Sequence, residues 1–128
     1  MKIAVLIARI LLGLIFLVFG LNGFLNFLHA PMPTGPAGQY MAVMGGTLYM
    51  QFVFLVQIVG GVLLLSGQFI PLALVLLGPV IVNILLFHIT LLPTGLPPGL
   101  FAAILWFIIF FGVRRAFSGI FAQKVPIA

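Results

Sequence analysis

The chain has 128 residues, of which 65% are hydrophobic and 4% charged, with no Asp, Glu or Cys and a formal net charge of +5. An average soluble domain is about 25% charged; at a mean hydropathy of +1.48, lipid must cover most of this surface. The missing carboxylates exclude acidic general bases, nucleophiles, proton relays and hard-cation ligands, and the missing thiols exclude disulfides and iron–sulfur ligand sets.

The first apolar run starts behind Lys2 and extends over residues 3–28. It is too long for a signal peptide, no small-x-small site ends it, and Pro31 follows directly, so an uncleaved first span is expected. At about 1.5 Å per residue it measures close to 39 Å, enough to cross a hydrocarbon core of about 30 Å with some tilt. Pro31, Pro33 and Pro36 lack the N–H that would continue a helix. Residues 40–48 are expected to form a short interfacial turn. A second span is expected over 49–66, closed by Gly67 as C-cap, and Pro71 marks the next helix start. The third span is placed at 72–92 and the fourth at 99–117, separated by Pro93, Pro97 and Pro98. The tail holds Phe117, Ile120 and Phe121 beside basic residues and is expected to lie at the interface as an amphipathic turn.

These runs are continuously apolar rather than alternating, which argues against a β-barrel. The expectation is an all-α, integral membrane four-helix transmembrane bundle forming one domain over residues 1–128. Lys2 and Arg9 flank the first span, and Arg114, Arg115 and Lys124 flank the last. With an even number of spans, the positive-inside rule then puts both termini in the cytoplasm. Cations confined to the chain ends read as membrane flanks and give no sign of nucleic-acid binding. Arg9 is expected to snorkel to the headgroups.

Polar side chains inside spans need partners. The first span carries Asn22, Asn26 and His29, whose spacings of four and three put all three on one face. Gln57 lies deep in the second span before Gly60 and Gly61. The third span carries Asn83, His88 and Thr90; Asn83 and Thr90 share a face, and His88 points about 140° away from Asn83. In the expected topology Asn22, Asn26, Asn83 and His88 fall in the outward half, with Gln57 near the middle. A neutral polar cluster in an apolar bundle suits a mostly apolar ligand with a hydrogen-bonding head, such as a quinone or lipid. The same residues serve equally as interhelical glue. No metal site is expected: two histidines without Cys or carboxylate are a poor ligand set, and a bis-histidine haem is disfavoured on the same ground. Gly112 and Ala116 form a small-xxx-small pair, and Trp106 reads as packing.

Taken together, Arg9-Ile-Leu-Leu-Gly-Leu-Ile-Phe16 with Gly20 and Asn22, Gln57-Ile-Val-Gly-Gly-Val-Leu-Leu-Leu-Ser-Gly67 with Pro71, and Pro79-Val-Ile-Val-Asn-Ile-Leu-Leu-Phe-His88 resemble the DoxX family of small bacterial membrane proteins. The resemblance implies a four-helix bundle in the bacterial inner membrane. Some members of that family are linked to a thiosulfate:quinone oxidoreductase as a small membrane subunit beside a second protein. The position of Gln57 is often Glu in such sequences, and an amide there cannot ionise. The resulting expectation is a quinone- or lipid-binding membrane subunit of a redox complex. In it Asn22, Asn26, Gln57, Asn83 and His88 form the candidate pocket, and Phe16, Phe54 and Phe87 pack the ligand. His88 would carry a proton, as imidazole does near neutral pH. The alternative is a non-catalytic scaffold or assembly factor for a larger membrane complex. The sequence leaves open whether the chain forms a homo-oligomer.

Overall fold

The computed structural model describes residues 1–128 and is all-helical. Helix α1 covers Lys2–Leu25, α2 Gly35–Met44, α3 Leu48–Ser66, α4 Ile70–Thr90 and α5 Leu96–Val113. Short 3-10 turns at Pro93–Gly95 and Arg114–Phe117 flank α5. Four helical stretches (α1, α3, α4, and α5 with its two turns) are long and apolar enough to cross a membrane. The chain is a multi-pass membrane protein by this measure. The spanning helices form a ring in the order α1, α3, α4, α5, each antiparallel to its neighbours.

Local chemistry explains where the expected boundaries move. Helix α1 stops at Leu25 rather than running to residue 28, because Asn26 adopts the left-handed conformation at φ 52° and ends the helix. Asn tolerates that conformation better than most residues, through its short polar side chain. The notion that Asn22, Asn26 and His29 share a helical face is therefore corrected: only Asn22 lies on the helix. Helix α2 replaces the loop and interfacial turn expected over residues 31–48. Pro36 sits in its first turn, where a missing N–H leaves no hydrogen bond unmade. The same tolerance lets α5 begin at Leu96, ahead of Pro97 and Pro98. Helix α3 starts at an N-cap, Thr47, whose hydroxyl oxygen accepts from the Met50 N–H at 3.2 Å. After Phe117 the chain makes only turns, closed by Ile120 N–H to Phe117 C=O and Ala122 N–H to Gly119 C=O.

Apolar burial cannot drive helix association in lipid, since lipid tails are as apolar as leucine; close packing must. The contact between α1 and α3 supplies it. A Cβ built on Gly61 would stand 2.8 Å from both the Gly13 carbonyl oxygen and the Leu17 nitrogen, and one on Gly20 would stand 2.9 Å from the Phe54 carbonyl oxygen. The two backbones thus touch along their length. The other contacts are made by side chains rather than backbone: Leu77 over Gly60, Trp106 beside Gly78, and Val5 against Gly112. Between the helices lies a sealed apolar core of Leu12, Phe16, Leu64, Leu74, Leu77 and Ile109. The outer surface carries large apolar residues such as Phe19, Phe52, Leu55, Val75 and Phe101, as a lipid-facing surface requires.

Pro79 lies inside α4 and cannot donate to the preceding turn. Close by, Trp106 donates its indole N–H from α5 to the Leu74 carbonyl of α4 at 3.1 Å. Trp106 therefore joins two helices by a hydrogen bond as well as by packing. At the opposite face of the ring, the Arg9 guanidinium packs against Gly67, in the turn that ends α3. Gly67 has φ 76° and donates its N–H to the carbonyls of Leu63 and Leu64. A cation beside the last carbonyls of a helix meets the negative end of its dipole, so Arg9 takes a structural position on a neighbouring helix.

Candidate functional site

The five candidate residues occupy four different settings. Asn22 is half-buried near the end of α1. Its side-chain Oδ1 accepts from the Leu28 N–H at 2.7 Å, and its backbone carbonyl accepts from the Asn26 N–H at 2.9 Å. Both oxygens fasten the chain as it leaves the helix. Asn26 is exposed at that cap. These two residues build a helix terminus, and His29 lies exposed beyond it.

His88 stands at the outgoing end of α4, half-buried, with its ring against Gly95 in the following turn. Its Nδ1 lies 3.2 Å from the Leu92 carbonyl oxygen. A carbonyl only accepts, so the Nδ1–H is the donor of this contact. The Phe87 ring meets that of Tyr40 at 5.2 Å between centroids, which fastens α2 to the end of α4.

Asn83 is exposed on the outside of the ring. It lines a shallow groove of about 150 Å³ with Tyr40, Leu86, Phe87, Thr90 and Leu91. The Thr90 hydroxyl donates to the Leu86 carbonyl at 2.7 Å, within its own helix. Neither Asn22, Asn26, Gln57 nor His88 lines this groove. A second groove, of about 200 Å³, runs between α4 and α5 past Gly78, Val82, Ala103 and Trp106 and has no polar surface.

Gln57 is the one polar side chain in the buried core, 7% exposed. It sits at the middle of α3, one turn before the glycines that meet α1 and α4. Its amide takes part in none of the side-chain hydrogen bonds of the protein. No fully sealed side-chain nitrogen or oxygen lacks a partner, so the Gln57 amide must reach an opening. An unpaired amide at this depth costs roughly 1–3 kcal/mol. It is the feature that an external hydrogen-bonding group would relieve.

Sequence reasoning passed over Tyr40, whose loop was not read as helical, and the tertiary roles of Trp106 and Arg9. A lone Trp at mid-span and a lone Arg inside a span were visible signals, but their partners lie on other helices. No family model matches the chain, and neither a curated protein nor a solved structure does.

Proposed function

We propose that this chain is a small membrane subunit that holds the polar head of a quinone-like or lipid-like molecule beside Gln57, for use by a redox partner protein. The observation that carries this reading is the Gln57 amide: nearly buried at mid-span, without an internal partner, and reaching an opening. An amide both donates and accepts, which suits a carbonyl or hydroxyl head group in an otherwise apolar site. The resemblance to the DoxX family supports the same reading by analogy. His88 is the one histidine within the spans, and in this reading its imidazole handles the proton that accompanies the redox step. In this reading the protein lies in the bacterial inner membrane with both ends cytoplasmic, the end that gathers Lys2, Arg9, Arg114 and Arg115.

A second reading is a scaffold or assembly factor. It is favoured by the core itself, in which Leu12, Leu64, Leu74, Leu77 and Ile109 are fully sealed. Native mass spectrometry of the protein in nanodiscs separates the two. Retention of a stoichiometric quinone- or lipid-sized mass, lost in Gln57→Leu, supports head-group binding. A ligand-free particle, or a bound mass indifferent to Gln57→Leu, overturns it and leaves the scaffold.

A further inference from the structure

The outer flank of α4 carries a pattern that the bundle does not use. Leu76, Asn83 and Thr90 recur every seven residues, and so do Leu72, Pro79 and Leu86. Leu76 is half-buried and the other five are exposed. A seven-residue repeat at alternating spacings of four and three forms one stripe, the seam of a left-handed helix pair. From Leu72 to Thr90 it spans about 27 Å at about 1.5 Å per residue, nearly the hydrocarbon thickness.

Asn83 lies in this stripe, about 10 Å from the end of α4 and so within the hydrocarbon. Its amide is exposed and makes no hydrogen bond within the chain. A bare amide facing lipid is costly and draws a partner. The groove beside it supplies the shape. Tyr40 of α2, packed on Phe87, and Leu91 wall one side and one end of it; its floor is Asn83, Leu86, Phe87 and Thr90, at positions i, i+3, i+4 and i+7 of one helix. That is the four-residue hole that receives one knob from a parallel facing helix.

We infer that α4 is the interface of a two-fold homodimer, in which the Asn83 amides pair across the axis and Leu86 of each copy fills the Asn83–Leu86–Phe87–Thr90 hole of the other. The occupant is a second copy for two reasons. A two-fold axis along the membrane normal sets identical helices parallel and puts Asn83 opposite Asn83 at equal depth, where each amide can both donate and accept. In that register the residue facing the hole is Leu86, which is 56% exposed and free to act as the knob. The role is independent of Gln57, which lies on another helix.

The absence of cysteine makes the test direct. Leu86→Cys and, as a control on α3, Leu55→Cys are oxidised in intact membranes. Leu86→Cys should form a disulfide-linked dimer and Leu55→Cys should not. In the Leu86→Cys chain, adding Asn83→Leu should lower the yield about tenfold, the loss of roughly 1.4 kcal/mol of association, and Asn83→Gln should keep much of it. Native mass spectrometry of the wild type in nanodiscs should give twice the chain mass. Equal cross-linking at Leu55, a yield unmoved by Asn83→Leu, a monomeric mass, or a mass that includes a different protein on this face would each overturn the homodimer. If Asn83→Leu fails to fold, the Leu86 and Leu55 comparison in the wild-type background decides alone.

Discussion

The α1–α3 contact and the outer flank of α4 meet the same problem, holding a helix in lipid, by opposite means. Between α1 and α3, side chains have been removed: Gly13, Gly20 and Gly61 let backbone meet backbone. Along the α4 flank, the side chains are larger, Asn83 and Thr90 among them are polar, and Leu72, Pro79, Asn83, Leu86 and Thr90 stay exposed. The difference teaches that a small-residue seam marks a finished contact, because the absent side chain has value only against a neighbour. A polar residue on a lipid-facing stripe marks an unfinished one.

This contrast can be broken most severely at Gly61. Gly61→Ala drives a Cβ onto the Gly13 and Leu17 backbone, which cannot swing aside as a side chain would, and overpacking of this kind costs about 1–3 kcal/mol. Gly119→Ala, where the new atom meets nothing, should leave stability unchanged. Unfolding in mixed micelles measures both, and an equal effect would remove the distinction between seam and surface.

A smaller effect is expected where two helices are joined by one polar bond. Trp106→Phe keeps an aromatic ring but loses the donor to the Leu74 carbonyl, and should destabilise by about 0.6 kcal/mol, the average for interhelical hydrogen bonds in membranes. Full retention of stability would mean that packing alone holds α5 to α4. His88→Phe likewise removes the bond to the Leu92 carbonyl. Its effect should be of about the same size or less and confined to residues 88–95, visible as faster amide exchange there with α1 and α3 unmoved. At the C-cap of α1, Asn26→Gly should change stability by only a few tenths of a kcal/mol, since glycine adopts the left-handed conformation at no steric cost. A loss above about 1 kcal/mol would exceed what the cap alone can supply.

The four spans were legible because long apolar runs interrupted by proline and glycine admit few other structures in lipid. The polar cluster was legible only as a set of depths. Residues Asn22, Asn26 and His29 fitted one helical face until the helix ended three residues early, and periodicity cannot foresee a left-handed cap. Asn83 and Gln57 read alike in sequence as amides within spans, yet one faces outward and the other inward, because uniformly apolar helices carry no contrast that tells which face meets lipid.

By itself, then, the sequence determined that the chain spans a membrane as helices, since its composition leaves no water-facing surface and its prolines divide the apolar runs. It also determined the stop points that depend on local chemistry, such as the Gly67 turn. Only the tertiary structure decided which glycines became contacts, where Arg9 and Trp106 found their partners, and that Gln57 alone is left nearly buried and unpaired. Those outcomes depend on the rotation of each helix about its own axis, which is fixed by the shape of its neighbours and not by its own residues.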